Sequence, residues 1–215
     1  MHVRPPSLFS DNVRHLYLSP TCGWSYQTAS ALVRLCPHLV CLFFEADWPQ
    51  AALLPVLEGI SHVRIWRGSL RGLFGDAPID LGHPFFRTIT HIDVTLHRLP
   101  LRSIVPSLRN LPVLTHLCLH NNVAVDNASN ILEQCPRLRI LFILCHLLYA
   151  EVADAISSEI TDMRCVVVVR GDPIHDWSGW VAHGGNDFWA GAEAFVARKR
   201  RGEIPVSARW VEPWW

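Results

Sequence analysis

The chain passes seven times through one apolar frame, L-x-x-L-x-L, in which other apolar residues can stand for Leu. The frames are Val13-Leu16-Leu18, Leu39-Leu42-Phe44, Ile60-Val63-Ile65, Ile89-Ile92-Val94, Leu114-Leu117-Leu119, Leu138-Leu141-Ile143 and Met163-Val166-Val168. Their starts lie 26, 21, 29, 25, 24 and 25 residues apart. A longer match supports the period: ASALVRLCPHL, residues 29–39, returns as ASNILEQCPRL, residues 128–138, four periods later. In LTHLCLHNN, residues 114–122, an Asn also follows three residues after the last apolar position.

Between frames the apolar spacing changes. Ala29, Leu32, Val33 and Cys36 fall at i, i+3, i+4 and i+7, as do Ala128, Ile131, Leu132 and Cys135; Leu53, Val56, Leu57 and Ile60 repeat the pattern, and Val152, Ala155 and Ile156 begin it again. That is the apolar stripe of a short helix. Pro37 and Pro136 stand where a helix stops. Pro55 and Pro106 predict short or partly 3-10 helices, and Cys36 and Cys135 are read as small buried hydrophobes. A helix, a turn and a strand repeating every 20–29 residues is the signature of leucine-rich repeats. One unit cannot bury both faces, so neighbours must stack. The predicted fold is an α/β leucine-rich-repeat solenoid over residues 1–170, with about seven units and a parallel sheet lining the concave side. Residues 171–215 belong to the same structural unit as a Trp-rich capping helix and tail.

The ends and one connection depart from the pattern. RGSLRGLFGDAPIDLGHP lacks a helical period and predicts an irregular loop over 67–88. RGDPIHDWSGWVAHGG, residues 170–185, is turn-rich, and its Arg-Gly-Asp carries little weight. NDFWAGAEAFVARKRRG reads as one helix, capped by Asn186 or Asp187, with Phe188, Ala192, Phe195 and Val196 on one face. A solvated basic run, Arg198 to Arg201, complements its dipole, and Gly202 ends it. This helix is expected to cover the last repeat. At the other end either residues 1–12 fold back, with Leu8 and Phe9 as a cover, or a preceding segment sits there; the Pro pair at 5 and 6 favours the second.

Composition excludes several function classes. The residues are 50% hydrophobic and 18% charged, with 19 basic and 19 acidic side chains. Such a chain can build a core, and no net field draws it to nucleic acid or anionic membranes. The longest apolar stretch, ILFILCHLLYA, is too short to span a bilayer, and no signal peptide is read at the start. Seven Cys without a C-x-x-C pair predict free thiols in a reducing compartment, cytoplasmic or nuclear. Nucleotide-binding, nucleophile-elbow and zinc-protease motifs are missing, so neither an enzyme nor a cofactor is expected.

Alternate strand residues share a face, so the third and fifth frame positions line the concavity. The third-position column reads His15, Cys41, His62, His91, His116, Ile140 and Cys165; the fifth reads Tyr17, Phe43, Arg64, Asp93, Cys118, Phe142 and Val167. Of these, His15, Tyr17, Phe43, His62, Arg64, His91, Asp93, His116, Cys118 and Phe142 are the candidate partner-binding residues. Tyr17, Phe43 and Phe142 are anchors of the type that dominates interfaces, unless segments of this chain fold into the groove and cover them. Arg64 and Asp93 are neighbours of opposite charge, an exposed pair contributing about 0–1 kcal/mol. His91, Asp93, His116 and Cys118 are all zinc-ligand types, but ladder side chains run parallel and a metal needs them to converge. The His column is alternatively a pH-sensitive polar surface or plain repeat structure.

The CPHL and CPRL turns, FFRTITHIDV, and above all DFWAGAEAFVARKRRGEI resemble the fungal F-box/leucine-rich-repeat-like proteins, over nearly the whole chain. The resemblance implies that the repeats hold a protein substrate while an F-box helix cluster docks a ubiquitin-ligase adaptor. MHVRPPSLFSD does not encode such a cluster, so an adaptor is expected only if an F-box is supplied upstream. The functional expectation is therefore protein recognition on the concave face, as the substrate-receptor half of an F-box-like ligase component. The alternatives are a free-standing repeat scaffold and, more distantly, a metal site on the His ladder.

Overall fold

The computed structural model describes residues 7–18, 23–44, 50–95, 101, 104–120, 123–170 and 186–210. Seven strands form one all-parallel sheet: β1 (His15–Leu18), β2 (Cys41–Phe44), β3 (Ile65–Gly68), β4 (His91–Thr95), β5 (His116–His120), β6 (Ile140–His146) and β7 (Cys165–Arg170). They lie side by side in the order in which they occur along the chain. Parallel neighbours need a crossover. Here the crossovers carry α2 (Tyr26–Leu35), α3 (Leu54–Leu57), α4 (Leu70–Phe74), α5 (Val105–Leu108), α6 (Val125–Gln134) and α7 (Ala150–Glu159), between α1 (Ser7–Asn12) and α8 (Asn186–Arg200) at the two ends.

Local chemistry sets the helix ends. Ser25 starts α2 by accepting a hydrogen bond from the Thr28 amide at 3.2 Å, satisfying one orphan donor. Both α2 and α6 end at a Cys, Cys36 and Cys135, with Pro next. Those thiols are buried, and every Cys among the described residues is free and buried. Pro55 and Pro106 sit in the first turns of α3 and α5, each only four residues long, and α3 is preceded by a 3-10 turn at Gln50–Leu53. In a first turn the missing N–H costs nothing.

The crossover helices share one face. Ala29, Val33, Val56, Leu57, Val105, Leu108, Ile131 and Ile156 pack in one core with the strand residues Leu42, Trp66, Ile92, Leu117, Leu141 and Cys165. Two expected frames are shifted. The third is Val63-Trp66-Gly68, because Cys41 pairs with Ile65 and Phe44 with Gly68. The seventh starts at 162, because Leu141 pairs with Cys165, so Cys165 and Val167 face the helices while Val166 and Val168 face the other way. A one-residue slip inverts a strand. With both corrected, frame starts are 26, 24, 26, 25, 24 and 24 residues apart, more even than the sequence pattern suggested. Gly68 disguised the third frame. A Cβ there would lie 2.7 Å from the Phe44 carbonyl oxygen and 3.1 Å from the Trp66 indole, which fills the space of the missing apolar residue.

The connection expected to be irregular, 67–88, contains α4. Ser69 caps it through the Gly72 amide at 3.0 Å, and Leu70, Leu73 and Phe74 are buried. A 3-10 turn at Pro84–Thr88 then buries Phe85 and Phe86. Five residues are too few to display a helical period.

At the N-terminal end, α1 packs Phe9 against the main core. At the C-terminal end, α8 covers the last strand, as expected, and extends across the neighbouring strands on the face of the sheet opposite the crossover helices. Trp189, Ala192, Phe195 and Val196 form a second core with Cys118, Ile140, Phe142, Leu144, Val166 and Val168. Gly202, at φ +73°, closes α8. Its amide donates to the Lys199 carbonyl and the Glu203 amide to that of Arg198, the paired bonds of a Schellman motif. The chain then returns to the sheet, where the Trp210 amide bonds to the Val167 carbonyl at 3.0 Å. The basic run is not wholly solvated: Lys199 is buried and donates Nζ to the Cys165 carbonyl at 2.9 Å. The expected cap residues Asn186, Asp187 and Phe188 fall in α8 without described side chains, and Trp177, Trp180, Trp214 and Trp215 lie outside the described residues. Among the described residues, no helix is long and apolar enough to cross a membrane.

Candidate functional site

The expected ladder exists, with four changes of membership: Ile65 for His62, Arg67 for Arg64, Val166 for Val167, and Cys165 turned to the helix side. Through β1 to β6 the third-position column is His15, Cys41, Ile65, His91, His116 and Ile140. The fifth is Tyr17, Phe43, Arg67, Asp93, Cys118 and Phe142, and it ends on Val166. His62 and Arg64 are therefore not on this face. They precede β3, because the third frame starts three residues later than expected.

Along the fifth column each rung meets the next. Tyr17 stacks on Phe43 at 4.3 Å between ring centroids. The Arg67 guanidinium lies 4.8 Å above the Phe43 ring and 3.4 Å from Asp93 Oδ2. His120 Nε2 lies 2.5 Å from Asp93 Oδ1, and the Cys118 thiol also bonds to Asp93. Burial alone would raise the Asp93 pKa; Arg67, His120 and the two side-chain hydrogen bonds outweigh it and hold the carboxyl below its usual range. Burial and the Asp93 charge push the Cys118 thiol well above its ordinary value. The charge pair expected of Arg64 is thus made by Arg67, and it is buried.

Asp93, Cys118 and His120 bring a carboxylate oxygen, a sulfur and an imidazole nitrogen within 4.8 Å of one another. This differs from the expected metal set, since His91 and His116 belong to the other column. Carboxylate, thiolate and imidazole are all zinc-ligand types, and ligation would take the Cys118 proton. The Arg67 cation also competes for the same carboxylate. The cluster is charge-balanced by Arg67 and Asp93. His120 could have been found by continuing the alternation of β5 two residues past the frame.

In the third column the His91 and His116 rings stack at 4.0 Å with planes 8° apart. The Thr90 and Thr115 hydroxyls touch their Nδ1 atoms at 2.7 and 2.8 Å. Trp189 meets both rings edge-on at 5.3 and 5.4 Å, and Glu193 Oε1 lies 3.2 Å from His116 Nε2 and 2.9 Å from Arg139. Burial first, then the neighbouring His116, brings His91 down to about 3; burial, then Arg139, brings His116 down to about 4. A neutral His116 that donates Nε2–H to Glu193 leaves Nδ1 to accept the Thr115 hydroxyl. The polar surface expected here is occupied by the chain's own α8.

Phe142 and Cys118 are covered in the same way, within the α8 core, and Phe43 is buried. On the helix-free face His15 is exposed and Tyr17 is half-buried. His62 and Arg64 are exposed, and with Arg14, His38 and Val40 they line an open pocket of about 330 Å³ at the N-terminal edge of β1–β3. Sequence reasoning missed Arg14 and His38 because only strand positions were taken as presenting side chains. No protein-family model, curated protein or solved structure matches this chain.

Proposed function

We propose that the chain is a leucine-rich-repeat protein-recognition module whose partner binds around the first three strands. The supporting observation is the distribution of solvent access. Over β4–β7, α8 occupies the helix-free face with Trp189, Phe195 and Val196, joined there by Trp210. Burial of each such side chain contributes about 1.5–3 kcal/mol, so a partner competing for that face must offset a large fraction of a domain's stability. Around β1–β3, His15, Tyr17, Arg14, His38, His62 and Arg64 remain accessible. An aromatic anchor beside arginines is the composition of an interface. The even 24–26-residue spacing and sequential strand order support the repeat reading.

The more specific form, a substrate receptor of an F-box-like ubiquitin ligase, is supported by the Cys-Pro-x-Leu turns and the α8 segment. Affinity capture with quantitative mass spectrometry tests both levels. A partner retained by wild type and lost on Tyr17→Ala, with unchanged melting temperature, is the expected result. Co-recovery of a cullin-type adaptor distinguishes the receptor from a free-standing scaffold. Equal recovery of every protein by both forms would overturn the recognition reading.

A further inference from the structure

The pocket at the sheet edge is built by register. Arg14, Val40 and Arg64 hold the same frame position in three successive units. The Val40 amide donates to the Arg14 carbonyl at 2.7 Å and the Arg64 amide to the Val40 carbonyl at 2.8 Å. His38 and His62 each stand one residue before their frames, with ring centroids 5.6 Å apart and planes tilted by 49°. Two guanidinium groups thus flank a half-buried Val40, two rungs or roughly 10 Å apart in backbone position, with two imidazoles alongside.

Charge pairing within the described residues does not account for this arrangement. Among the described residues neither Arg14 nor Arg64 has a carboxylate partner. Arg64 donates one bond, from Nη1 to the Thr88 carbonyl at 3.0 Å, leaving most of its five donors for another acceptor. Other units treat the position differently. The Thr90 and Thr115 hydroxyl oxygens lie 3.1 and 3.2 Å from carbonyls of the preceding unit, and Arg139 is paired with Glu193. The cationic lining is confined to the first three units.

We propose that this pocket binds a phosphate-class dianion carried by a side chain of the protein partner, which specifies and rests on the recognition reading above. Two planar guanidinium forks and two imidazole N–H donors can share the oxygens of one phosphoryl group, whereas a single carboxylate is satisfied by one fork. A volume of about 330 Å³ holds a phosphoryl group together with the side chain that bears it.

The test follows the imidazole resonances of His38 and His62 by NMR during titration with inorganic phosphate. Saturable shifts are expected, with affinity reduced at least about tenfold in the Arg14→Gln/Arg64→Gln protein, as loss of charge-assisted bonds implies. Both side chains are exposed, so the fold is retained, and the melting temperature checks this. Val40→Glu, which puts a carboxylate on the pocket floor, is a second variant expected to abolish binding. A phosphoserine peptide pool should compete with phosphate and its unphosphorylated counterpart should not. Three results would overturn the proposal: no saturable shift up to about 100 mM phosphate, far beyond millimolar affinity; shifts that persist in both variants; or phosphate binding that no phosphopeptide displaces. If Tyr17→Ala still abolishes partner capture while phosphate fails to bind, the recognition module stands and the anion site falls.

Discussion

Asp93 is the residue on which the polar contacts of the helix-free face converge, and removing its charge takes from the buried Arg67 the carboxylate that it faces. Asp93→Asn is expected to lose about 3–5 kcal/mol, the usual result of breaking one side of a buried pair. The double variant Arg67→Met/Asp93→Asn should recover part of that loss, because the cation is removed with its partner while the Asn side chain can still meet His120. Urea unfolding of the four proteins in a mutant cycle checks both outcomes. The sequence reading had the right carboxylate and the wrong arginine. Ile60-Val63-Ile65 and Val63-Trp66-Gly68 both satisfy an apolar frame, and Gly in the last place made the true one the poorer match. Only the Trp66 indole, occupying the volume above Gly68, explains why it folds. Gly68→Ala should therefore destabilise, by about 1–3 kcal/mol, where surface propensity alone would favour Ala.

Among elements, α8 was legible as a helix with a Gly-terminated end that covers the last repeat, but its reach across the neighbouring strands was not. An amphipathic stripe reports that one side is buried and not what lies against it. Ala192, Phe195 and Val196 were expected on that side and are there; Lys199, read as solvated, reaches a sheet carbonyl. The docking has a steric signature at Gly191, where an added Cβ would overlap the Trp210 indole. Gly→Ala inside a helix ordinarily gains about 1 kcal/mol; here overpacking should reverse the sign and cost about 1–3 kcal/mol. Loss of amide-exchange protection confined to α8 and the strands beneath it is the expected readout. The same junction predicts acid lability. His91 and His116, facing Trp189, Glu193, Arg139 and each other, have folded pKa values of about 3 and about 4 against 6.5 unfolded. The unfolded chain thus binds more protons as pH falls, so their stabilisation is complete above pH 6.5 and lost through the window down to about 3. Asp93, held low by Arg67 and His120, acts in the same direction below its unfolded pKa of about 3.8. The His91→Phe/His116→Phe protein should show a flatter stability–pH curve between pH 6.5 and 4, followed by denaturant midpoints.

At the scale of the molecule, the sequential strand order was readable because each unit repeats its apolar frame, and Leu117, at the centre of the best frame, is fully buried. Leu117→Ala should cost about 2–5 kcal/mol through lost transfer energy and a residual cavity. What the frame could not reveal was that the second face is also a core, because that core depends on a segment outside the repeats. The strand order also has a consequence during synthesis. Each new strand finds its neighbour already in place about 25 residues earlier, so the sheet can grow as the ribosome delivers it. The face that α8 covers has no such protection. Ile140, Phe142, Leu144, Val166 and Val168 are made and paired before Trp189 and Phe195 leave the exit tunnel. A nascent chain whose residues up to about 170 have left the tunnel while α8 is still inside it would expose an apolar sheet surface, the situation in which chaperones are recruited. Ribosome-bound chains stalled at that point should be captured by a holdase and released from it once α8 and Trp210 have emerged.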